Sequence, residues 1–257
     1  MVDKQFLQNY AKKSETSVEN TWREYVQHLF LRSFYTKKES QSFLFKGGTS
    51  LRLVFGSPRF SEDLDFLLRA PDPDFDWSPY LKVLVEVFEQ FGLKLDALPK
   101  TKMNTAIRQA LLKNDSIASQ LDLSFAGTGK SRTIRIKLEI DVNPPAGTGE
   151  DATYLDFPAD HEVRHQDLAS NFALKIHALL CRGFLKGRDW YDFSWYVAKG
   201  TTPNLTLLRT ALIQAGPWAG DERIAVDMPW LKQALGDTIA KIDWKAAADD
   251  VRRFLRP

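Results

Sequence analysis

The chain has 257 residues, 44% hydrophobic and 26% charged, enough to bury a core as one large domain or two modest ones and too apolar for disorder. Thirty-five Lys and Arg against 33 Asp and Glu leave a net charge of +2; bulk charge therefore does not mark a nucleic-acid binder, which needs clustered basic residues. The single cysteine, Cys181, excludes an intrachain disulfide and a multi-cysteine zinc site, and the polar start and the lack of a run of ~20 apolar residues lead us to expect a soluble, cytoplasmic protein.

In chain order, Phe6, Leu7 and Tyr10, then Val18, Trp22, Val26, Leu29 and Phe30, recur at helical spacing and predict two helices before the first strand. Ser42-Phe43-Leu44-Phe45 predicts a short strand that ends at Gly47-Gly48, with a helix over 49–55. Alternation of acid and apolar residues predicts a strand over 63–68, with Asp63 and Asp65 on one face and Leu64 and Phe66 on the other. An amphipathic helix is expected over 79–91, and two antiparallel strands over 121–125 and 133–142 around Gly127-Thr128-Gly129. From 143 to 160 a loop is expected. Beyond it we predict only helices: one capped by Asp167, one over 188–198, then three more. The fold class is thus α+β, with a mixed β-sheet domain and flanking helices over 1–160 and a helical domain over 161–257.

The chemistry concentrates in two places. Glycines after a strand let the backbone approach a phosphate, and the next helix aims its first N–H groups at the anion; Thr49 or Ser50 adds a hydroxyl donor. Alone, that signal better describes a tight strand-to-helix turn. Two carboxylates two apart on a strand, Asp63 and Asp65, change the balance, because they project from one face and suit a hard cation such as Mg2+. A third acid is expected from 135–141, where Glu139 and Asp141 share a face and either qualifies; an ordinary charged strand face is the competing reading. Ser61, Arg52 and Arg59 are candidate phosphate contacts, Arg59 the better, with loop polarity for Ser61 and helix-surface charge for Arg52 the competing readings. The histidines lack ligand spacing, and Trp22, Trp190, Trp195 and Trp230 are expected to pack the helical part.

The stretches Phe45-Lys46-Gly47-Gly48-Thr49-Ser50-Leu51-Arg52 and Arg59-Phe60-Ser61-Glu62-Asp63-Leu64-Asp65-Phe66 resemble the nucleotidyltransferase (polymerase β-like) superfamily. Within it they are similar to the AbiEii/AbiGii toxin family, which includes the MenT toxins. In that family a Lys and an Asp follow on C-terminal helices, and Leu174-Lys175-Ile176-His177-Ala178-Leu179 and Gly187-Arg188-Asp189-Trp190-Tyr191-Asp192-Phe193 stand in that order, so the resemblance spans roughly residues 40–195. It implies transfer of a nucleoside monophosphate from an NTP to an acceptor hydroxyl with release of pyrophosphate. Asp63 and Asp65 would hold two Mg2+ (or Mn2+) ions, the third acid would bind a metal or act as base, Lys175 would serve at the phosphates, and Asp189, with Asp192 supporting, would bind the nucleotide, orient Lys175 or cap the helix.

For the acceptor the resemblance implies RNA, with tRNA the known acceptor of some members, and a cognate antitoxin as partner. A basic lean through Lys94, Lys100, Lys102, Arg108, Lys113, Lys130, Arg132, Arg135 and Lys137 agrees with an RNA acceptor. A small-molecule transferase of the aminoglycoside type or a protein nucleotidyltransferase is the alternative within the class. The alternative outside it is a non-catalytic nucleotide- or antitoxin-binding protein, for which two adjacent carboxylates have no use.

Overall fold

The computed structural model describes residues 4–90, 96–100, 107–114 and 134–255. Two helices open the chain, α1 (Lys4–Lys13) and α2 (Val18–Tyr35), followed by strand β1 (Phe43–Lys46), helix α3 (Gly47–Leu53), strand β2 (Leu64–Leu68) and helix α4 (Ser78–Gln90). Then come β3 (Asp96–Lys100), β4 (Ile107–Asn114), β5 (Ile134–Asp141), β6 (Glu150–Leu155) and β7 (His161–Gln166). Five helices close the chain: α5 (Leu168–Cys181), α6 (Gly187–Ala198), α7 (Leu205–Gln214), α8 (Met228–Ile239) and α9 (Trp244–Arg252). Polar residues cap many of these starts: Ser17 accepts the Asn20 N–H at 3.1 Å, Asp167 the Ser170 N–H at 2.7 Å, and Asn204, Asp227 and Asp243 act likewise, each contributing about 1 kcal/mol.

The strands form one mixed sheet in the order β3-β4-β5-β2-β1-β7-β6. β1 runs antiparallel to β2 and parallel to β7, while β2 runs parallel to β5. The period-two side-chain rule sorts these central strands cleanly. Phe43 and Phe45, Leu64 and Phe66, and Ile136, Leu138 and Ile140 face one apolar cluster with Trp22, Phe30 and Phe34 of α2 and Phe88 of α4. The opposite face carries Lys46, Asp65 and Glu139, which are register partners across three strands. A second apolar cluster, built on Phe172, Ile176, Tyr196, Leu207 and Leu212, also takes in Leu51 of α3. The helix after the glycine turn is thus packed against the helical part.

Several expectations change. The region after 145 is not free of strands: β6 and β7 pair antiparallel from Glu150↔Gln166 to Leu155↔His161, so the boundary expected at 160 falls inside a hairpin. β7 escaped notice because its inward positions are His161, Val163 and His165 rather than an aliphatic run. β6 did because, at the sheet edge, it is largely exposed. β5 pairs with β4, a strand not foreseen, and the segment 121–125 expected beside it lies outside the described residues. Trp22 packs the sheet-side cluster, not the helical one.

Candidate active site

Strand β1 ends at Lys46, and Gly47 turns the chain with φ +79°, a left-handed conformation that favours glycine. Space adds a second reason for both glycines. A Cβ on Gly47 would stand 2.5 Å from Asp65 Oδ2, and one on Gly48 would collide with the Arg59 guanidinium and lie 3.0 Å from Ser61 Oγ. The glycine pair therefore lets three of the expected site residues close onto the turn.

The cleft that results, of about 190 Å³, is lined on the sheet side by Lys46, Gly47, Gly48, Ser61, Asp63, Asp65, Glu139 and Asp141, and on the helical side by Asn171, Lys175, Arg182, Lys186, Arg188 and Asp189, with Arg59 between. Sequence positions more than a hundred residues apart thus share one cavity.

The sheet wall is crowded with negative charge. Burial, then Glu139 and Asp63, push the Asp65 carboxyl up to about 7 against the pull of Lys46 and Lys186, and burial also raises Asp63. Among the described residues neither aspartate closes a salt bridge. Glu139 lies on Lys137, and Asp141 on Lys46 at 3.8 Å. The register sets the two candidates for third acid apart: Glu139 is beside Asp65, whereas Asp141 is two pairs further along, beside Leu67, and both line the cleft. As they stand, no three His, Cys, Asp or Glu side chains among the described residues are spaced to hold a metal ion; Glu139 is turned to its lysine. The donor type, carboxylate oxygens lining one cleft, is the kind a hard divalent cation takes.

The helical wall has the opposite character. Lys175 Nζ reaches Asp189 Oδ1 at 2.7 Å and Asp192 Oδ2 at 2.9 Å. Arg59 embraces Asp192 with two bonds, at 2.5 and 2.6 Å, and Arg182 pairs with the other oxygen of Asp189. Burial alone would raise the Asp189 carboxyl, but Lys175 and Arg182 outweigh it and hold it down to about 2. Burial is likewise overcome at Asp192 by Lys175 and Arg59, and at Lys175 by the two aspartates, which keep its ammonium charged.

Not every expected residue faces the cleft. Thr49 is buried and its hydroxyl donates to the Asp63 carbonyl, while Ser50 is buried without a partner for its hydroxyl among the described residues; neither lines the cavity. The Gly47 N–H is taken by Asn171 Oδ1 at 3.2 Å, while Gly47 and Gly48 both line the cleft. Arg59 lines the cleft, but its charge is absorbed by Asp192. Arg52 bonds Glu24 at 2.6 Å. Of the basic residues singled out for RNA, Lys94, Lys102, Lys130 and Arg132 lie outside the described residues, as do the side chains of Lys100, Arg108, Lys113 and Arg135; Lys137 is seen, on Glu139.

Other cleft residues went unremarked in the sequence. Asn171, Leu174, Lys175, Ala178 and Arg182 all line the cavity, and their spacing of three and four is one helical stripe, legible once Lys175 is taken as the anchor. Lys186 and Arg188 follow in the linker and the start of α6. Neither forms an ion pair among the described residues, and burial lowers the Lys186 pKa. The Asn171 Nδ2 is buried without a partner among those residues. The wall thus keeps donors in reserve for an anion.

A family model described as "Nucleotidyl transferase AbiEii toxin, Type IV TA system" matches residues 29–257. No curated protein matches the chain. Among solved structures, the chain is similar to JHP933 from Helicobacter pylori, with a TM-score of 0.48 and 16% identity over 92% of this chain and 95% of that one. It is also similar to a "putative nucleotidyltransferase from H. pylori", with a TM-score of 0.49 and 17% identity over 92% of this chain and 98% of that one.

Proposed function

The chain belongs to the AbiEii nucleotidyl transferase toxin family of type IV toxin–antitoxin systems, and from that premise we propose that it transfers a nucleoside monophosphate from an NTP to a hydroxyl of RNA, tRNA in the first place, as the toxin partner of a cognate antitoxin. The observation that supports the reading is that Asp63 and Asp65, raised by burial and acidic neighbours, face the cationic side chains Lys175, Arg182, Lys186 and Arg188 across one cleft. A triphosphate needs both, since its oxygens take lysine and arginine directly and bridge to carboxylates only through a cation.

In this reading Asp63, Asp65 and Glu139 hold divalent magnesium or manganese, Glu139 leaving Lys137 to complete the set. The bound cation supplies charge neutralisation and lowers the pKa of the attacking hydroxyl. Lys175 and Lys186 hold the triphosphate, with Asn171 Nδ2 and Arg188 as further donors. The acceptor oxygen attacks the α-phosphorus, a new O–P bond forms, and the bond to the pyrophosphate oxygen breaks in line. The hydroxyl proton leaves to a carboxylate of the sheet wall or to water, and pyrophosphate carries away the bonding pair. Asp189 and Asp192 aim Lys175 and keep it charged. Asp189 acts at the cleft itself and Asp192 from behind it.

Incubation with each α-labelled NTP, magnesium and total tRNA tests this. Label in RNA with wild type and none with Asp65→Ala is the expected result. Label in protein or a small molecule instead moves the acceptor, and no transfer to any acceptor overturns the reading.

A further inference from the structure

The linker between α5 and α6 carries two large apolar side chains that the fold does not cover: Phe184 is 68% exposed and Leu185 39%. The basic residues on either side, Arg182 and Lys186, line the cleft, so the apolar step sits at the edge of the cationic wall. The Arg182 guanidinium lies over the Phe184 ring at 5.1 Å, and the same arginine reaches inward to Asp189. A Cβ built on Gly183 meets nothing within 4 Å, so the linker next to Phe184 is open there.

We propose that Phe184, with Leu185 beside it and Arg182 over its ring, is the stacking platform for a nucleobase at the mouth of the cleft. The proposal rests on the nucleotidyl-transfer reading and adds to it the residue that handles the base. An exposed aromatic flanked by basic side chains is the general solution for binding nucleotides without reading their sequence: every base has a π face, and the cations take the phosphates. A buried core aromatic would be covered, and a lone exposed one would lack the adjoining charge. The shared chemistry is a nucleobase, and its source is either the NTP or the terminal nucleotide of the acceptor.

Binding of full-length protein separates these. Wild type, Phe184→Ala and Phe184→Trp are titrated with tripolyphosphate, with the α,β-methylene analogues of the four NTPs, and with total tRNA. Removing the ring is expected to weaken the analogue or the tRNA roughly tenfold, with Trp restoring affinity and tripolyphosphate unchanged throughout. Weakening confined to the analogue assigns the donor base, and weakening confined to tRNA the acceptor base. Equal affinity of the Ala variant and wild type for every probe overturns the proposal, as does a parallel loss of tripolyphosphate or a wild type that binds neither nucleotide nor RNA. No turnover enters this measurement, so a wild type that transfers label while Phe184→Ala binds normally would discard the platform and leave the transferase reading standing.

Discussion

Two aspartate pairs on opposite walls of one cleft stand in opposite electrostatic states. On the sheet wall, Asp63 and Asp65 are pushed up by burial and by acidic neighbours and close no salt bridge among the described residues. On the helical wall, Asp189 and Asp192 are more deeply buried yet held down by Lys175, Arg59 and Arg182. The contrast separates function from scaffolding by charge balance rather than by residue type. Buried carboxylates with cationic partners are a completed network, and buried carboxylates without them are where the proposed cation would bind.

The sharpest way to break the contrast is substitution on the two walls in turn. Asp65→Asn is expected to cut nucleotidyl transfer roughly a thousandfold, several kcal/mol of lost cation-mediated stabilisation. It should also raise the melting temperature at pH 8 without divalent cation, because an ionised carboxylate held unfavourably is removed; paired assays of labelled transfer and calorimetry check both. Asp192→Ala strands Arg59 in the interior and leaves Lys175 with Asp189 alone, and denaturant unfolding should show a loss of about 3–5 kcal/mol. A drop in activity without that loss would place Asp192 on the functional side instead.

A third test uses acid. The Asp189 carboxyl is depressed from 3.8 to about 2, so the stability it contributes is complete above the unfolded value and disappears as pH falls from about 4 toward 2, roughly 2 kcal/mol in all. Stability against pH should lose this component in Asp189→Asn. The smallest effect concerns the turn. Gly48→Ala must displace Arg59 and Ser61, and a cost of about 1–2 kcal/mol, an overpacking penalty, should appear in thermal unfolding with a weakened NTP affinity.

What the sequence made legible was local. Asp63-Leu64-Asp65 and Gly47-Gly48 announce themselves because strand alternation and glycine geometry act over a few residues, and the helices from α5 onward follow from their caps and spacing. Lys175 and Asp189 were legible through resemblance, since nothing near either one in the chain names its partner fourteen residues away. What stayed hidden was set by packing between distant segments. Arg59 reads as a loop cation free for phosphate until α6 brings Asp192 to it. Thr49 reads as a ligand hydroxyl until the Asp63 carbonyl folds over it. β7 stayed hidden because histidines stand where a strand would ordinarily show aliphatic residues, and Lys186 and Arg188 resemble any charged linker until the sheet wall stands opposite.

The central claim is that the sheet wall, not the helical wall, takes the divalent cation. Electron paramagnetic resonance of Mn2+ titrated into wild type, Asp65→Asn and Asp189→Asn measures this directly. The account predicts bound Mn2+ for wild type and Asp189→Asn and its loss in Asp65→Asn. Retention by Asp65→Asn, or loss in Asp189→Asn alone, would contradict it.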